Sequence, residues 1–394
     1  MRSEWNASTI GESCSLVTDG SHFSPKSVEN GEYMVSVKDF TGYGFDFKSC
    51  RRISREDYET LKINGCVPKQ NDILIGKDGA RYFEDIVIYR QPERPALLSS
   101  IAILRCDEHK ILPEFLYYIL RTPSFRQYVR DNYGSGSAIP RIILRDFKRM
   151  PISYPSLEEQ KKVASVLTAL DSRIRINEQI NDNLQQQLSS IFHRIFDKEN
   201  RDVALGEAIS TTSGGTPSRK KLEFYENADV CWVKSKELLG GYLSDTEEHI
   251  NDLAISKSAA KILPAKSVLI AMYGATVGAY AITSREMTCN QAICALLEND
   301  RYPHTYLFQY AKEYQGEIVN LAVGSAQQNI SQVTIKQLSV HSDTDKIQRF
   351  DEIASPIHRK LQQLELENKY LANLRDSLLP KLMSGEIDVS DVQL

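Results

Sequence analysis

The stretch SLEEQKKVASVLTALDSRIRINEQINDNLQQQLSSIFHRIF, residues 156–196, decides the fold. Its apolar residues recur at alternating spacings of four and three, which is the heptad pattern of a helix with one narrow apolar seam. The stretch contains no Gly or Pro, and Ser156 followed by two glutamates is a typical helix start. We predict one helix of about 40 residues, roughly 60 Å long, which is longer than a small domain needs for its own core. The predicted seam positions are Val163, Leu167, Leu170, Ile174, Asn177, Asn181, Leu184, Leu188, Ile191 and Ile195.

A second heptad pattern begins at Asp345 and runs to the end of the segment KLMSGEI at residue 387. Two seams of similar length can bury each other as an antiparallel pair, and an Asn in a seam can fix the register of the pair. The alternative is two unrelated amphipathic helices, each packed on its neighbouring domain. The predicted positions of the second seam are Ile347, Phe350, Ala354, Ile357, Leu361, Leu364, Asn368, Leu371, Leu378 and Leu382.

The composition is that of an ordinary globular protein with room for two or three domains in its 394 residues. The formal net charge of −4 gives no global sign of nucleic-acid binding, although binding depends on local patches rather than on the total. We see no signal peptide and no apolar run long enough for a membrane span, and we expect a cytoplasmic protein. The seven cysteines form no CxxC, so we expect reduced thiols and no metal site.

Short blocks of the first half recur in the second half. Each half then ends in its own heptad helix, so the chain has the pattern of a duplication with pseudo-two-fold symmetry. The matching blocks are Ile10-Gly11-Glu12 with Leu205-Gly206-Glu207, residues 72–75 and Gly79-Ala80 with residues 267–270 and Gly274-Ala275, residues 100–104 with residues 291–296, and Gly136-Ser137-Ala138 with Gly324-Ser325-Ala326.

The predicted fold class is mixed α/β (α+β), with two similar globular domains and two long helices that form an antiparallel coiled coil. In the first domain, β-like runs at 33–37, 72–75, 86–89 and 100–104 precede a helix at 113–130 that Pro123 interrupts. The predicted segments are a first domain at 1–155, a first spacer helix at 156–196, a second domain at 197–344 with a polar linker at 197–202, and a second spacer helix with the C-terminal tail at 345–394.

This layout resembles the specificity (S) subunit of type I restriction–modification systems over nearly the full chain. The segment LLPKLMSGEI that ends the second helix is the most specific part of the resemblance, and the duplication supports it independently. The first domain departs from the pattern, since it lacks GGTPS and has residues 18–22 (TDGSH) at a comparable place. The segments that carry the resemblance are residues 157–181, residues 374–387, GGTPS at 214–218, Trp232-Val233, Met272-Tyr273-Gly274 and Asn290-Gln291-Ala292.

The resemblance implies that each globular domain is a target recognition domain that reads one half of a bipartite, asymmetric site in double-stranded DNA. The helices would set the gap between the half-sites and dock two modification (methyltransferase) subunits, which restriction/translocase subunits then join. The methyl donor, S-adenosylmethionine, would be bound by the modification subunits, so no cofactor is expected in this chain.

Enzyme signatures are missing from the sequence. It has no GxxxxGK[ST] loop, no HExxH and no tetrapeptide like the Asn-Pro-Pro-Tyr of amino-methyltransferases. We therefore expect a non-catalytic chain. Two alternatives stay open, namely a protein-interaction scaffold that does not bind DNA, and the recognition subunit of a related system with a fused methyltransferase–nuclease partner.

Candidate DNA contacts are cations for phosphates and planar polar side chains for base edges. The turn at 77–81 follows a strand-like run, and we expect it to present two cations. Arg141 and Asn329 come at matching positions after the Gly-Ser-Ala corner of each half. The alternative for each cation is plain solvation, and for Tyr273 it is core packing. The candidates are Arg51, Arg52, Arg55, Lys77, Arg81 and Arg141 in the first domain, and Arg219, Lys220, Lys221, Lys234, Lys236, Tyr273, Gln327, Gln328 and Asn329 in the second.

Helix positions outside the seams are candidates for contacts with the partner subunits, an assignment that rests on the resemblance. They are Glu158, Lys161, Arg173, Arg175, Lys360, Tyr370 and Arg375.

Overall fold

The computed structural model describes residues 5–133, 140–196, 201–322, 328–389 and 392. The chain divides into two compact units, Met1–Arg173 with Leu371–Leu394, and Ile174–Tyr370. Each unit therefore contains one globular domain and a part of each long helix.

The first unit is built around a four-stranded antiparallel sheet of order β2-β10-β7-β8. A second sheet has the order β6-β3-β9, in which β3 and β9 are parallel, and β1 pairs with β11. The strands are β1 (Asn6–Thr9), β2 (Cys14–Asp19), β3 (Glu32–Val35), β4 (Phe40–Thr41), β5 (Gly44–Phe45), β6 (Arg51–Ile53), β7 (Ile73–Gly76), β8 (Ile86–Ile88), β9 (Ala96–Leu97), β10 (Ile101–Cys106) and β11 (Pro151–Tyr154). The helices are α1 (Ile10–Ser13), α2 (Arg55–Ile63), α3 (Pro113–Arg121), α4 (Pro123–Tyr133), α5 (Leu144–Arg149) and α6 (Leu157–Ile195), which continues into the second unit.

The predicted elements of the first domain are present in the structure. The four β-like runs coincide with β3, β7, β8 and β10, and Pro123 separates α3 from α4 because proline cannot continue the hydrogen bonding of a helix. Strands β7 and β10 are buried on both faces, which explains why they read as continuous apolar runs rather than as alternating ones.

The second unit repeats this plan with a five-stranded sheet of order β13-β20-β17-β18-β15 and a three-stranded sheet of order β16-β14-β19. Its strands are β12 (Arg201–Ala204), β13 (Ser210–Ser213), β14 (Val230–Val233), β15 (Tyr242–Leu243), β16 (His249–Ile250), β17 (Val268–Ala271), β18 (Tyr280–Thr283), β19 (Thr288–Cys289), β20 (Ile293–Leu297) and β21 (Ser339–His341). Its helices are α7 (Leu205–Ala208), α8 (Asp252–Lys257), α9 (His304–Glu313), α10 (Gln315–Asn320), α11 (Gln332–Lys336) and α12 (Thr344–Met383), which ends in the first unit.

Strand pairing confirms the duplication that the sequence predicts. The order β2-β10-β7-β8 corresponds to β13-β20-β17-β18, the parallel pair β3–β9 to β14–β19, and the pair β1–β11 to β12–β21. Gly11 of α1 lies against Lys148 of α5, and Gly206 of α7 lies against Lys336 of α11, with no room for a β-carbon at either glycine. The repeated Ile/Leu-Gly-Glu block thus marks a close contact between helices.

The two long helices confirm the predicted heptad helices and contribute seam residues to the core of each unit. In the first unit, Val163 and Leu167 of α6 share a buried cluster with Leu382 of α12. In the second unit, Leu188 of α6 shares one with Leu361 of α12.

At four predicted seam positions the next residue in the chain is the more buried one. The buried residues are Phe192, Phe196, His358 and Leu379, whereas the predicted Ile191, Ile195, Ile357 and Leu378 are only partly buried. The ends of both helices also pack on the globular domains, so burial there follows a wider apolar face instead of the narrow heptad seam.

Candidate nucleic-acid interface

In the first domain, a short segment lies alongside the turn that follows β7. The amide of Ile142 donates to the carbonyl of Lys77 at 3.0 Å, and the amide of Gly79 donates to the carbonyl of Pro140 at 3.0 Å. Asp78 and Arg141 are therefore paired across an antiparallel bridge. Gly79 has a φ of +96°, a left-handed conformation that glycine adopts without strain.

The second domain builds the same arrangement after β17. The amide of Ile330 donates to the carbonyl of Met272 at 2.9 Å, and the amide of Gly274 donates to the carbonyl of Gln328 at 2.9 Å. Tyr273 and Asn329 form the equivalent bridge. Gly274 has a φ of +70°, as expected for the counterpart of Gly79. We call these two structures the paired loops.

The paired loops have the same backbone and different side chains. Asp78 and Arg141 in the first domain occupy the places of Tyr273 and Asn329 in the second. Arg141 and Asn329 are exposed, and Tyr273 is 42% exposed, which excludes the alternative that Tyr273 is a core residue. Backbone hydrogen bonds fix both loops, so the exposed side chains can differ without changing the fold.

Lys77 corrects the expectation that the turn presents two cations. Its side chain is buried, and its ammonium lies 3.4 Å from the Asp19 carboxylate and 3.5 Å from that of Asp78. Burial of an ammonium requires such partners, so Lys77 holds the turn on β2 and does not face solvent. Arg81 is exposed and bonds to Asp85 at 2.7 Å beside an open cavity of about 420 Å³.

Arg51 and Arg52 are also engaged within the first domain. Arg52 lies 4.2 Å over the ring of Tyr33 and donates to the carbonyl of Gly31 at 2.8 Å. Arg51 donates to Ser24 at 2.8 Å and to the carbonyl of Pro25. Both guanidinium groups therefore tie β6 to its neighbours, whereas Arg55 is exposed at the first turn of α2.

Three predicted cations of the second domain form one ion-pair cluster with two glutamates. Lys234 bonds to Glu248 at 2.6 Å, and Lys236 bonds to Glu247 at 2.6 Å. Arg219 pairs with Glu248 at 2.5 Å. The hydrogen bond from Lys234 lowers the pKa of Glu248, and that from Lys236 lowers the pKa of Glu247. The positive charge of this cluster is thus partly offset.

The GGTPS segment packs tightly on the second domain. The indole of Trp232 donates to the carbonyl of Gly215 at 3.0 Å, and a β-carbon on Gly214 would lie 1.9 Å from the carbonyl oxygen of Cys289. In the first domain, a β-carbon on Gly20 would lie 2.3 Å from the carbonyl oxygen of Leu97. Because Leu97 and Cys289 end the equivalent strands β9 and β19, Gly20 is the counterpart of Gly214. Lys220 and Lys221 extend from this segment and are exposed.

Asp78 was not among the candidates of the sequence analysis, which named only cations in the first domain. Aligning the two halves on Gly79 and Gly274 would have identified Asp78 as the counterpart of Tyr273. The Gly-Ser-Ala corners and Gln327 lie outside the described residues, while Gln328 is exposed beside Asn329.

Residues 2–186 and 198–374 match the family described as the type I restriction modification DNA specificity domain. The chain belongs to this family. It is 24% identical over 310 residues to the type I restriction enzyme MjaIX specificity subunit of Methanocaldococcus jannaschii, with 72% of this chain and 71% of that protein covered. It is 23% identical over 404 residues to the HindI specificity subunit of Haemophilus influenzae, with 81% and 87% covered. Its fold is similar to the crystal structure of a type I restriction–modification S subunit from M. genitalium, with a TM-score of 0.59, 17% identity and coverage of 97% and 96%.

Family membership confirms the predicted class, a specificity subunit of type I restriction–modification systems and not one of the catalytic subunits. The two matched segments correspond to the two halves of the duplication. Within the described residues, no helix is long and apolar enough to cross a membrane.

The helix positions predicted to contact partner subunits are exposed, with one exception. Glu158, Lys161, Lys360 and Tyr370 are exposed, and Arg173 and Arg175 are exposed as well.

Arg375 is the exception among these helix positions. It bonds to Asp171 at 2.8 Å and is only 17% exposed, because Asp171 of α6 faces it within the first unit. Arg375 therefore joins the two helices and does not lie on an outward face.

Proposed function

We propose that this specificity subunit selects a bipartite, asymmetric sequence in double-stranded DNA, and that the paired loops read bases in the two half-sites. The observation that carries the proposal is the identity of the loop backbones combined with the difference between their exposed side chains. Two domains that share a backbone arrangement but differ in their exposed side chains are suited to bind two half-sites of different sequence.

The chemistry of the paired loops supports base reading. A guanidinium can bond bidentately to the O6 and N7 atoms of guanine, and a side-chain amide can bond in the same way to the N6 and N7 atoms of adenine. We therefore assign base contacts to Arg141 in the first domain and Asn329 in the second. Tyr273 and Asp78 flank these residues and would shape the approach of the base.

Phosphate contacts would come from exposed cations of the two domains. Arg81, Lys220 and Lys221 are exposed and suit this role. Arg219, Lys234 and Lys236 stay candidates, although the ion pairs with Glu247 and Glu248 reduce their attraction to phosphate. Gln327 also stays a proposed contact. The bonds that engage Arg51, Arg52 and Lys77 give these residues a positioning role in our proposal.

The long helices would set the gap between the half-sites and dock two methyltransferase subunits, to which restriction/translocase subunits are added. Helix α6 has 39 residues, which corresponds to about 58 Å. We propose Glu158, Lys161, Arg173, Lys360 and Tyr370 as docking positions. S-adenosylmethionine would bind to the methyltransferase subunits.

Methylation mapping tests the proposal. The chain is expressed with its candidate modification subunit in a host without DNA methylation, and modified bases are read across the genome. We expect a split motif that requires this chain. Arg141→Gln should change one half of the motif, and Asn329→Asp should change the other half.

Matched variants separate base reading from general binding. Lys220→Gln removes an exposed cation of the second domain that we assign to phosphate contacts. It should therefore lower methylation at all sites alike and leave the motif unchanged. A motif that is unaffected by Arg141→Gln and Asn329→Asp would reject the paired loops as the reading elements. Efficient methylation without this chain would favour a scaffold that does not bind DNA.

A further inference from the structure

Three side chains of the second unit, Cys231, Asp245 and His249, bring potential metal-ligating atoms together. Cys231 of β14 and His249 of β16 are register partners in an antiparallel pair, so their side chains lie on the same face. Asp245 precedes His249 by four residues and turns back towards it. Their sulfur, oxygen and nitrogen atoms all lie within 4.8 Å of one another.

The distances are close to those of a tetrahedral zinc site. The sulfur of Cys231 lies 3.6 Å from Nε2 of His249 and 3.6 Å from Oδ1 of Asp245. Ligands at the usual zinc distances, in tetrahedral geometry, would be about 3.6 Å apart for sulfur with nitrogen or oxygen and about 3.4 Å apart for nitrogen with oxygen. His249 Nε2 and Asp245 Oδ1 are 2.8 Å apart, so only this pair has to separate, by about 0.6 Å, to admit the ion.

The same geometry excludes a nucleophilic triad. In a relay of the Cys-His-Asp type, the carboxylate holds one ring nitrogen while the nucleophile meets the other. Here Asp245 and Cys231 both approach Nε2 of His249. The Cys231 side chain is also fully buried, which prevents attack on a substrate.

Neighbouring donors orient two of the three ligands. Arg285 donates to the Cys231 sulfur at 2.9 Å. Lys369 of α12 donates to Oδ2 of Asp245 at 2.7 Å and leaves Oδ1 directed at the cluster. Such outer donors are a general feature of metal sites.

We propose that Cys231, Asp245 and His249 bind one divalent ion of the zinc class, with water as the fourth ligand. Mixed sulfur, nitrogen and oxygen donors suit zinc better than magnesium or calcium. His249 and Asp245 are partly exposed, which gives the ion a path of entry.

The ion would fasten one face of the second domain. It would join β14 to the segment 245–249, which includes Glu247 and Glu248 of the ion-pair cluster. The proposal does not depend on DNA recognition. The sequence analysis expected no metal site because the cysteines form no CxxC, and the 14 positions between Cys231 and Asp245 give no short motif that would indicate one.

Cobalt binding to the full chain provides the test, because cobalt enters zinc sites and gives a thiolate-to-cobalt charge-transfer band when it bonds to sulfur. We expect one cobalt ion per chain, displaced by one zinc ion, and a thermal midpoint that rises with zinc. Cys231→Ser should abolish the band. His249→Gln and Asp245→Asn should lower the affinity by at least tenfold, and Arg285→Gln by about tenfold to a hundredfold.

Matched variants in the same unit serve as controls. Cys294→Ser alters another buried cysteine, and His304→Gln alters a histidine that is paired with Glu298 at 2.6 Å. Both should keep the band and the affinity. Circular dichroism checks folding, and His249→Gln keeps the test valid if Cys231→Ser does not fold. Absence of the band in the native chain, or equal binding by native chain and His249→Gln, would overturn the proposal.

Discussion

Asn177 of α6 donates a side-chain hydrogen bond to Asn368 of α12, with 2.8 Å between Nδ2 and Oδ1. Asn177 is fully buried, and both residues lie in the seams that the heptad patterns predict. The hydrogen bond between the two amides forms in one alignment of the helices, because a shift by one heptad would place Asn368 against Leu170 or Leu184. The pair therefore fixes the register of the helices within the second unit.

Removing one member of this pair should be more harmful than removing both. Asn368→Ala leaves the Asn177 amide buried without its acceptor, and we expect a loss of about 1–3 kcal/mol in the free energy of unfolding. The double variant Asn177→Leu with Asn368→Leu should be as stable as the native chain or more stable. Urea denaturation measures both. Asn183→Ala, on the exposed face of α6, is the control. A double variant that is less stable than Asn368→Ala would contradict this account.

Glu365 should make the stability of the second unit depend on pH. Its carboxylate accepts a hydrogen bond from the amide of Tyr242 at 2.7 Å, and burial raises its pKa to about 7. The pKa in the folded chain lies above the unfolded value of 4.5. The contribution of Glu365 to the free energy of unfolding is therefore fully present below pH 4.5 and is lost as the pH rises through 7. As the pH rises from 5 to 8, the free energy of unfolding of Glu365→Gln should therefore increase relative to that of the native chain by about 2 kcal/mol, after allowance for the partial exposure of Glu365.

His358 should act in the opposite direction on the same helix. Burial lowers its pKa to about 3, and its Nδ1 lies 2.7 Å from the hydroxyl of Tyr242. A folded pKa below the unfolded value of 6.5 means that stability is present above pH 6.5 and is lost as the pH falls. Thermal midpoints of His358→Gln and the native chain from pH 8 to pH 5 test this. The difference between the two thermal midpoints should become smaller towards acid pH. A difference that stays constant from pH 8 to pH 5 would refute the effect of His358.

Gly214 and Gly316 should respond oppositely to alanine. A β-carbon on Gly214 would lie 1.9 Å from the carbonyl oxygen of Cys289, so Gly214→Ala forces two backbone segments apart. We expect a loss of at least about 3 kcal/mol, or insoluble protein. Gly316 is exposed in α10 and has open space around its β-carbon position, so Gly316→Ala should stabilise the chain by about 0.5–1 kcal/mol. Soluble yield and thermal midpoint distinguish the two outcomes.

The fold was largely predictable because its main signals are periodic. Heptads indicate the two long helices, and repeated blocks such as Ile10-Gly11-Glu12 indicate the duplication. The details that failed are those in which a helix has a second neighbour. Phe192 is buried in place of Ile191 because α6 packs on the globular domain as well as on α12. The sequence of a single helix does not contain that second contact.

The paired loops were predictable in position, and the surroundings of the candidate residues were predictable only in part. Alignment of the halves placed Arg141 opposite Asn329, and the backbone bridges of the paired loops share this correspondence. Lys77 could not be distinguished from an exposed cation, because its partner Asp19 is 58 positions away in the sequence. Arg375 was misplaced for a similar reason, since Asp171 lies on the other long helix. Long-range ion pairs leave no periodic trace.

Lengthening both helices should lengthen the gap between the proposed half-sites. One heptad adds about 10.5 Å to a helix, which corresponds to about three base pairs of B-DNA. The insertions belong at 172–175 in α6 and at 370–373 in α12, outside the stretch of α12 that contacts Tyr242 and Asp245, so that the globular domain keeps its packing and both seams stay in register. Methylation mapping should then show both half-sites unchanged and a longer gap. Insertion into α6 alone misaligns the seams and should abolish methylation, whereas an unchanged gap after both insertions would reject the helices as the ruler.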